Sequence, residues 1–155
     1  MLPINIVLLE PEIAANTGNI GRSCVAAGAV LHLIKPLGFR TDERSVKRAG
    51  MDYWQDLDVH YYDNFEDFLV KNRYPVVYMT SSKVTKYYTD VKYPPGAFIM
   101  FGSESGGIPK EILDRYPETS VRIPMYPGVR CINLASSAAL VLYEALRQQG
   151  FDGLE

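Results

Sequence analysis

The sequence has few of the residues that form covalent or metal cross-links. It contains two cysteines, Cys24 and Cys131, and two histidines among 155 residues. Two cysteines are too few for a disulfide framework or for a zinc site of the usual Cys/His type. We therefore expect no disulfide-stabilised domain and no bound metal.

Long apolar runs and an excess of positive charge are also missing. Hydrophobic residues make up 47% of the chain, but no run approaches the roughly 20 residues of a membrane span. No basic segment followed by a long apolar one opens the chain, so no signal peptide is predicted. The net charge of −2 argues against non-specific binding of nucleic acid, although a local basic surface is still possible. These features predict a cytoplasmic protein that does not contact a membrane.

Short apolar runs alternate with amphipathic segments along the chain. The runs predicted as strands are residues 4–9, 31–34, 59–62, 76–80, 97–101 and 121–123. The segments predicted as helices are one capped by Asn16 or Thr17 and closed by Gly28, then 42–49, 64–70 and 110–115, and a last helix from its N-cap Asn133 to Gln149. Nearly all-apolar strands are typical of a parallel sheet covered by helices on both faces. We predict one α/β domain over residues 1–155, without an added RNA-binding domain.

Three stretches have the composition of a ligand site. NTGNIGR at 16–22 opens the first helix, FGSESGGIP at 101–109 follows the fifth strand, and RIPMYPGVRCINL at 122–134 leads into the last helix. Open α/β sheets bind ligands at the carboxyl ends of their strands, and glycines such as Gly102 and Gly107 let a backbone approach a ligand closely. The glycine loop matches neither a P-loop nor the dinucleotide fingerprint. A tight strand-to-helix turn is the alternative.

In order and spacing these stretches resemble the three motifs of the SpoU branch of the SPOUT methyltransferases. The resemblance covers essentially the whole chain, and the opening INIVLLEPEIAANTGNIGR resembles the small subgroup that methylates the tRNA wobble nucleotide. It implies methyl transfer from S-adenosyl-L-methionine to the ribose 2′-hydroxyl of cytidine or uridine in the tRNA anticodon loop, with S-adenosyl-L-homocysteine as product. It also implies a C-terminal deep trefoil knot and a homodimer that packs through its first and last helices.

The resemblance also assigns roles to single residues. It gives catalysis to Arg22, Asn16 and Asn133. It places the S-adenosyl-L-methionine site at Met79, Thr80, Gly102, Glu104, Gly107, Ile123, Pro124, Met125, Cys131 and Leu134. We expect Glu104 to bond amides of its own loop. The family often has serine in place of Cys131, which we expect to be a small half-buried residue rather than a nucleophile.

Arg22 needs a role that suits its chemistry. A guanidinium group is a poor base, so we expect it to position the ribose and a neighbouring phosphate, while phosphate or water accepts the hydroxyl proton. The alternative is an arginine that only reaches from an apolar helix to the surface.

Basic residues are predicted to hold the RNA. Arg44, Lys47 and Arg48 share one helical face, for which a merely solvated surface is the alternative. Other candidates are Arg130 and a segment with Lys83, Lys86 and Lys92 among Tyr87, Tyr88 and Tyr93. Ribosomal RNA methylation and a non-catalytic RNA- or nucleotide-binding module are alternative functions.

Overall fold

The computed structural model describes residues 2–42 and 52–155. The predicted helix at 42–49, with Arg44, Lys47 and Arg48, lies outside the described residues except for Asp42. The described elements are β1 Asn5–Leu9, α1 Ala14–Ala27, β2 Val30–Ile34, a 3-10 helix Asp52–Asp56, β3 Val59–Tyr62, α2 Phe65–Lys71, β4 Val77–Thr80, β5 Phe98–Phe101, α3 Lys110–Leu113, β6 Ser120–Val121 and α4 Leu134–Gln148.

The sheet is parallel throughout and has six strands in the order β3-β2-β1-β5-β4-β6. The apolar runs therefore predicted the number of strands in this sheet and their parallel direction correctly. This order places the carboxyl ends of β1, β5 and β4 side by side. Loops that follow these strands can therefore meet at one edge, where α/β sheets bind ligands.

The core lies on both faces of the sheet. One face is covered by α1 and α4, through buried side chains such as Ile20, Cys24 and Leu142. The other is covered by α2 and the end of α3, through Phe68 and Leu113. The predicted covering of both faces is thus confirmed. None of the helices within the described residues is both long enough and apolar enough to cross a membrane.

The outer face of α4 is less well covered than its inner face. Its apolar arc is buried against α1 and the sheet, as its helical period predicts. Leu140 and Tyr143 lie outside that arc and are 43% and 41% exposed. The helix therefore presents two large side chains to solvent in the single chain.

The two long helices differ in how they begin. The side chain of Asn133 accepts hydrogen bonds from the amides of Ala135 and Ser136, which confirms the predicted N-cap of α4. The predicted cap of α1 is wrong. That helix begins at Ala14 and has no side-chain cap at Ile13, while Asn16 is buried inside its first turn. The two amides just before α1, those of Glu12 and Ile13, are instead bound by a residue distant in sequence, described below.

The sixth strand is shorter than predicted, at Ser120–Val121 rather than 121–123. Arg122 leaves β4 and pairs with the segment that follows β4. Its amide donates to the carbonyl of Lys86 at 2.8 Å, and its carbonyl accepts from the amide of Tyr88 at 2.8 Å. The predicted irregular connection after β4 thus runs along the edge of the sheet.

Candidate active site

The loop after β5 folds tightly upon itself. The amide of Gly107 donates to the carbonyl of Ser103 at 2.9 Å, and the amide of Gly106 donates to Oγ of Ser103 at 3.1 Å. A Cβ at Gly102 would overlap the backbone of Gly107 and Ile108. Gly102 is therefore required by the loop's own return path, not only by the approach of a ligand. Gly107 has a φ of 64°, which favours glycine.

Glu104 binds the start of α1 rather than its own loop, so that prediction was wrong. Its Oε1 accepts from the amide of Glu12 at 2.8 Å, and its Oε2 accepts from the amide of Ile13 at 2.9 Å. The loop amides of Gly106 and Gly107 are already bonded to Ser103, whereas the amides of Glu12 and Ile13 precede α1 and are open to an acceptor from another loop. A carboxylate at that positive helix end is also favoured electrostatically.

Glu12 in turn accepts hydrogen bonds from the loop after β5. Its Oε1 accepts from the amide of Ser105 at 2.8 Å and from Oγ of Ser105 at 2.6 Å. These hydrogen bonds, the hydroxyl first and the amide second, hold the pKa of Glu12 below its usual value. Each of the two segments therefore contributes a carboxylate that accepts hydrogen bonds from donors of the other. Sequence reasoning missed Glu12 because the EPE segment indicated only the end of a strand.

Two asparagines continue the connection to the third motif. Nδ2 of Asn16 donates to Oε2 of Glu104 at 3.1 Å. Oδ1 of Asn16 accepts from Nδ2 of Asn133 at 3.2 Å. Since Oδ1 of Asn133 caps α4, each amide group uses both its donor and its acceptor. The structure thus brings together one residue from each of the three motifs.

A cavity of about 560 Å³ lies beside this chain of side chains. Most of the residues predicted for the site line it, namely Asn16, Thr80, Gly102, Glu104, Gly107, Ile123, Met125, Arg130, Cys131, Asn133 and Leu134. Ser81, Ser82, Lys83, Ser103 and Ser137 line it as well. Ser81 and Ser82 belong to no motif, and their position directly after β4 was the available signal, whereas Ser103 lies in the glycine loop and Ser137 lies on α4.

Three predicted residues do not line the cavity. Met79 is fully buried in the core cluster on the α2 face, so only its backbone lies near the site. Pro124 is exposed beside the cavity wall. Arg22 is exposed on α1, with its guanidinium carbon 5.6 Å from the ring centre of Tyr53. In this chain Arg22 therefore contacts an aromatic face rather than the cavity.

The two cysteines have different environments. Cys24 is buried in the core, and this burial raises the pKa of its thiol to about 12, so it stays protonated. Cys131 is exposed at the cavity rim, not half-buried as expected. The described residues contain no group of three or more histidine, cysteine or acidic side chains placed to hold a metal ion.

A cavity at the carboxyl edge of a parallel sheet, closed by three linked motifs, defines an α/β ligand-binding domain. A family model gives its class. Residues 3–143 match the SpoU rRNA Methylase family, and the chain belongs to that family. The recognition of the family from its three motifs is confirmed.

Named relatives and solved structures agree with this class. The tRNA (cytidine(34)-2′-O)-methyltransferase of Escherichia coli (strain K12) is 42% identical over 97% of this chain and 96% of its own. A solved structure concerned with the 2-OH methylation of C/U34 on tRNA has a TM-score of 0.89 and 38% identity, over 97% of this chain and 98% of its own. An AdoMet-bound rRNA methyltransferase from Sinorhizobium meliloti has a TM-score of 0.80 and 27% identity, over 94% of this chain and 56% of its own.

Proposed function

We propose that this protein transfers a methyl group from S-adenosyl-L-methionine to the ribose 2′-hydroxyl of cytidine or uridine at the tRNA wobble position. The observation that carries the proposal is the hydrogen-bonded chain Asn133–Asn16–Glu104, which joins the three motifs at one cavity. The E. coli relative, similar over nearly its whole length, is a tRNA (cytidine(34)-2′-O)-methyltransferase.

The cavity has the size and chemistry for S-adenosyl-L-methionine. Its volume is in the range of about 300–1,000 Å³ that is usual for small-molecule sites. Ile123, Met125 and Leu134 offer apolar surface for an adenine ring. Oγ1 of Thr80 is buried at the wall and has no hydrogen-bond partner among the described residues, so it can bond a polar ligand group. These residues, with the backbone of the 102–107 loop, would hold the cofactor.

Bound S-adenosyl-L-methionine supplies an electrophilic methyl group and leaves as S-adenosyl-L-homocysteine. The residues of the chain supply orientation. Glu104 and Asn16 fix the start of α1, which carries Arg22. Arg22 donates two hydrogen bonds to the ribose and an adjacent phosphate, while phosphate or water takes the 2′-hydroxyl proton. Placing nucleophile and methyl in line can lower the barrier by several kcal/mol, or about 7 kcal/mol and more in favourable cases.

A homodimer would complete this site. Arg22 lies away from the cavity of its own chain, and Leu140 and Tyr143 on α4 are exposed. We propose that two copies pack through α1 and α4, so that Arg22 of one copy reaches the ligand held by the other. An isologous contact of this kind uses the same surface twice.

Finer features belong to the same proposal. We also propose a C-terminal deep trefoil knot, which the resemblance of the three motifs to the family implies. Residues 1–155 act as a single domain in the cytoplasm, where tRNA is found. Arg130, at the cavity, and Arg44, Lys47 and Arg48 contact the tRNA anticodon loop.

Methyl transfer with purified components tests the proposal. The protein is incubated with labelled S-adenosyl-L-methionine and, separately, bulk tRNA or ribosomal RNA. Label in tRNA supports the proposal, and label in ribosomal RNA alone would support the alternative substrate. Cofactor and RNA binding without any transfer would support a non-catalytic binding module.

A further inference from the structure

We propose that Lys83, Lys86 and Arg122 form a phosphate-binding surface that carries the RNA backbone past the cofactor cavity. The inference rests on the proposed function, because it names the surface through which the RNA substrate is held. We call these three residues the edge cations, since they lie where the segment after β4 pairs with the end of β6.

The backbone holds the edge cations close together. The amide of Arg122 donates to the carbonyl of Lys86 at 2.8 Å, so these two residues are neighbours across the paired segments. Nη1 of Arg122 lies 3.5 Å from the carbonyl of Val84, next to Lys83. Lys83 itself lines the cavity. The edge cations thus extend from the cavity along one edge of the sheet.

No carboxylate in the described part of the chain pairs with the edge cations. Nζ of Lys83 contacts the carbonyl of Ile108 at 3.4 Å, and Nζ of Lys86 donates to the carbonyl of Glu118 at 2.9 Å. Across residues 2–42 and 52–155, none of the edge cations forms an ion pair. Six other described cations each have a carboxylate partner, namely Lys35, Arg40, Lys71, Lys110, Arg115 and Arg147.

The guanidinium group of Arg122 is incompletely hydrogen-bonded within the described residues. The side chain of Arg122 is partly exposed, its Nε has no hydrogen-bond partner among the described residues, and the contact of its Nη1 with the carbonyl of Val84 is long at 3.5 Å. The Nε is buried, so a phosphate would be bound by the exposed part of the guanidinium group, whose planar fork of donors suits an anion. Cations without carboxylates beside a cavity for an RNA-modifying reaction therefore favour a polyanionic partner.

These cations could instead serve only to tie carbonyl groups of neighbouring loops together. The two explanations differ in what neutralising them changes. If the cations only bind carbonyl groups of the protein, neutralising them changes the free energy of unfolding but not the salt dependence of RNA binding. A phosphate contact affects the salt dependence, because each contact releases counterions from the RNA.

The test compares two double variants of the full chain. Lys83→Gln with Lys86→Gln removes two edge cations. Lys71→Gln with Lys110→Gln is the matched control, because it removes the same charge from lysines already paired with carboxylates. Binding of an unmodified tRNA transcript is measured without cofactor over a series of salt concentrations, and cofactor affinity is measured by calorimetry.

We expect the edge double variant to bind tRNA roughly tenfold or more weakly, as for lost charged hydrogen bonds. The slope of log affinity against log salt should fall by roughly one to two units. Lys86→Gln alone, at a residue that does not line the cavity, should lower the slope by about one unit and leave cofactor affinity unchanged. Adding Arg122→Gln to the double variant should lower the slope by about one unit more. The control variant should match the wild type.

Either of two results would overturn the inference. One is an edge double variant whose affinity and slope equal those of the control. The other is a loss of cofactor affinity with unchanged tRNA binding, which would assign Lys83 to the cofactor site. Because binding is measured without methyl transfer, a failure here is distinct from a wild-type protein that transfers no methyl group.

Discussion

Nδ2 of Asn133 donates a hydrogen bond to Oδ1 of Asn16 at 3.2 Å, across 117 positions of sequence. The bond joins the starts of α1 and α4, the two helices that cover one face of the sheet. Asn16 is also bonded to Glu104 in the glycine loop. Asn16 therefore contacts both other motifs at the cavity and is the residue that links the glycine loop to the start of α4.

Asn16→Ala should impair both stability and catalysis. It leaves Glu104 and Asn133 each without one partner, at a cost of about 1–3 kcal/mol for partly buried polar groups. Methyl transfer should fall because the start of α4 loses its hydrogen-bonded link to the glycine loop. Asn19→Ala, at an exposed position of the same helix, is the control and should change unfolding by less than about 0.5 kcal/mol. Equal unfolding curves for the two variants, measured in denaturant, would contradict this role for Asn16.

Arg22→Ala should abolish methyl transfer while cofactor binding survives. The reason is that Arg22 lies outside the cavity of its own chain and is proposed to act on the ribose and phosphate. Arg22→Lys keeps the charge but not the two-donor fork, so it should restore RNA binding better than turnover. Calorimetry with the cofactor and single-turnover kinetics give the two quantities. Cofactor affinity that falls in parallel with turnover would show that the proposed role is wrong.

Leu140→Arg should convert a dimer into monomers that no longer methylate tRNA. Leu140 is 43% exposed in the single chain, so the change costs little there, whereas an unpaired charge buried in an interface is strongly unfavourable. Leu140→Met keeps an apolar side chain and should remain dimeric. Sedimentation measures both variants. A monomeric and fully active wild type would contradict the dimer, and a dimeric Leu140→Arg would show that another face is used.

Stability should fall as the pH is lowered through the range in which His32 becomes charged. His32 is buried, with Nδ1 2.7 Å from the hydroxyl of Tyr62 and Nε2 2.8 Å from Oδ1 of Asn5. Burial, and secondarily the charge of His60, lowers the pKa of His32 from 6.5 to about 4. Between these two pH values the unfolded chain binds a proton at His32 and the folded chain does not. The free energy of unfolding therefore decreases as the pH falls.

The expected loss is about 2 kcal/mol between about pH 7 and pH 5, from roughly 1.4 kcal/mol per unit of pKa difference. Denaturant unfolding at several pH values measures it. His60→Gln changes the exposed neighbour and should retain most of the pH-dependent loss of stability. His32→Gln should remove the part of that loss that comes from His32. A wild-type stability that is constant over this range would contradict the neutral, buried state of His32.

Local patterns predicted much of the fold. Apolar runs gave six strands, and the Asn133 cap with a regular apolar period gave α4, because these features depend on neighbours in sequence. The start of α1 was missed because Glu104, 91 positions from Ile13, replaces a local cap. A contact between distant loops has no signature in either loop alone.

The same difference between local patterns and contacts of distant loops applies to the candidate site. The resemblance of three motifs to a known family assigned most of the residues that line the cavity. The Glu12–Ser105 exchange could not be predicted, since it depends on how two loops face each other. The end of β6 at Val121 was missed for a similar reason, because Arg122 finds its partners in the segment after β4.

The most direct measurement of the central claim uses a tRNA transcript whose wobble ribose lacks the 2′-hydroxyl, beside the same transcript with an ordinary ribose. Both are incubated with the protein and labelled S-adenosyl-L-methionine, and the products are digested and analysed by mass spectrometry. The account predicts one 2′-O-methylated cytidine or uridine from the ordinary transcript and none from the deoxy transcript. Equal labelling of both transcripts would contradict it.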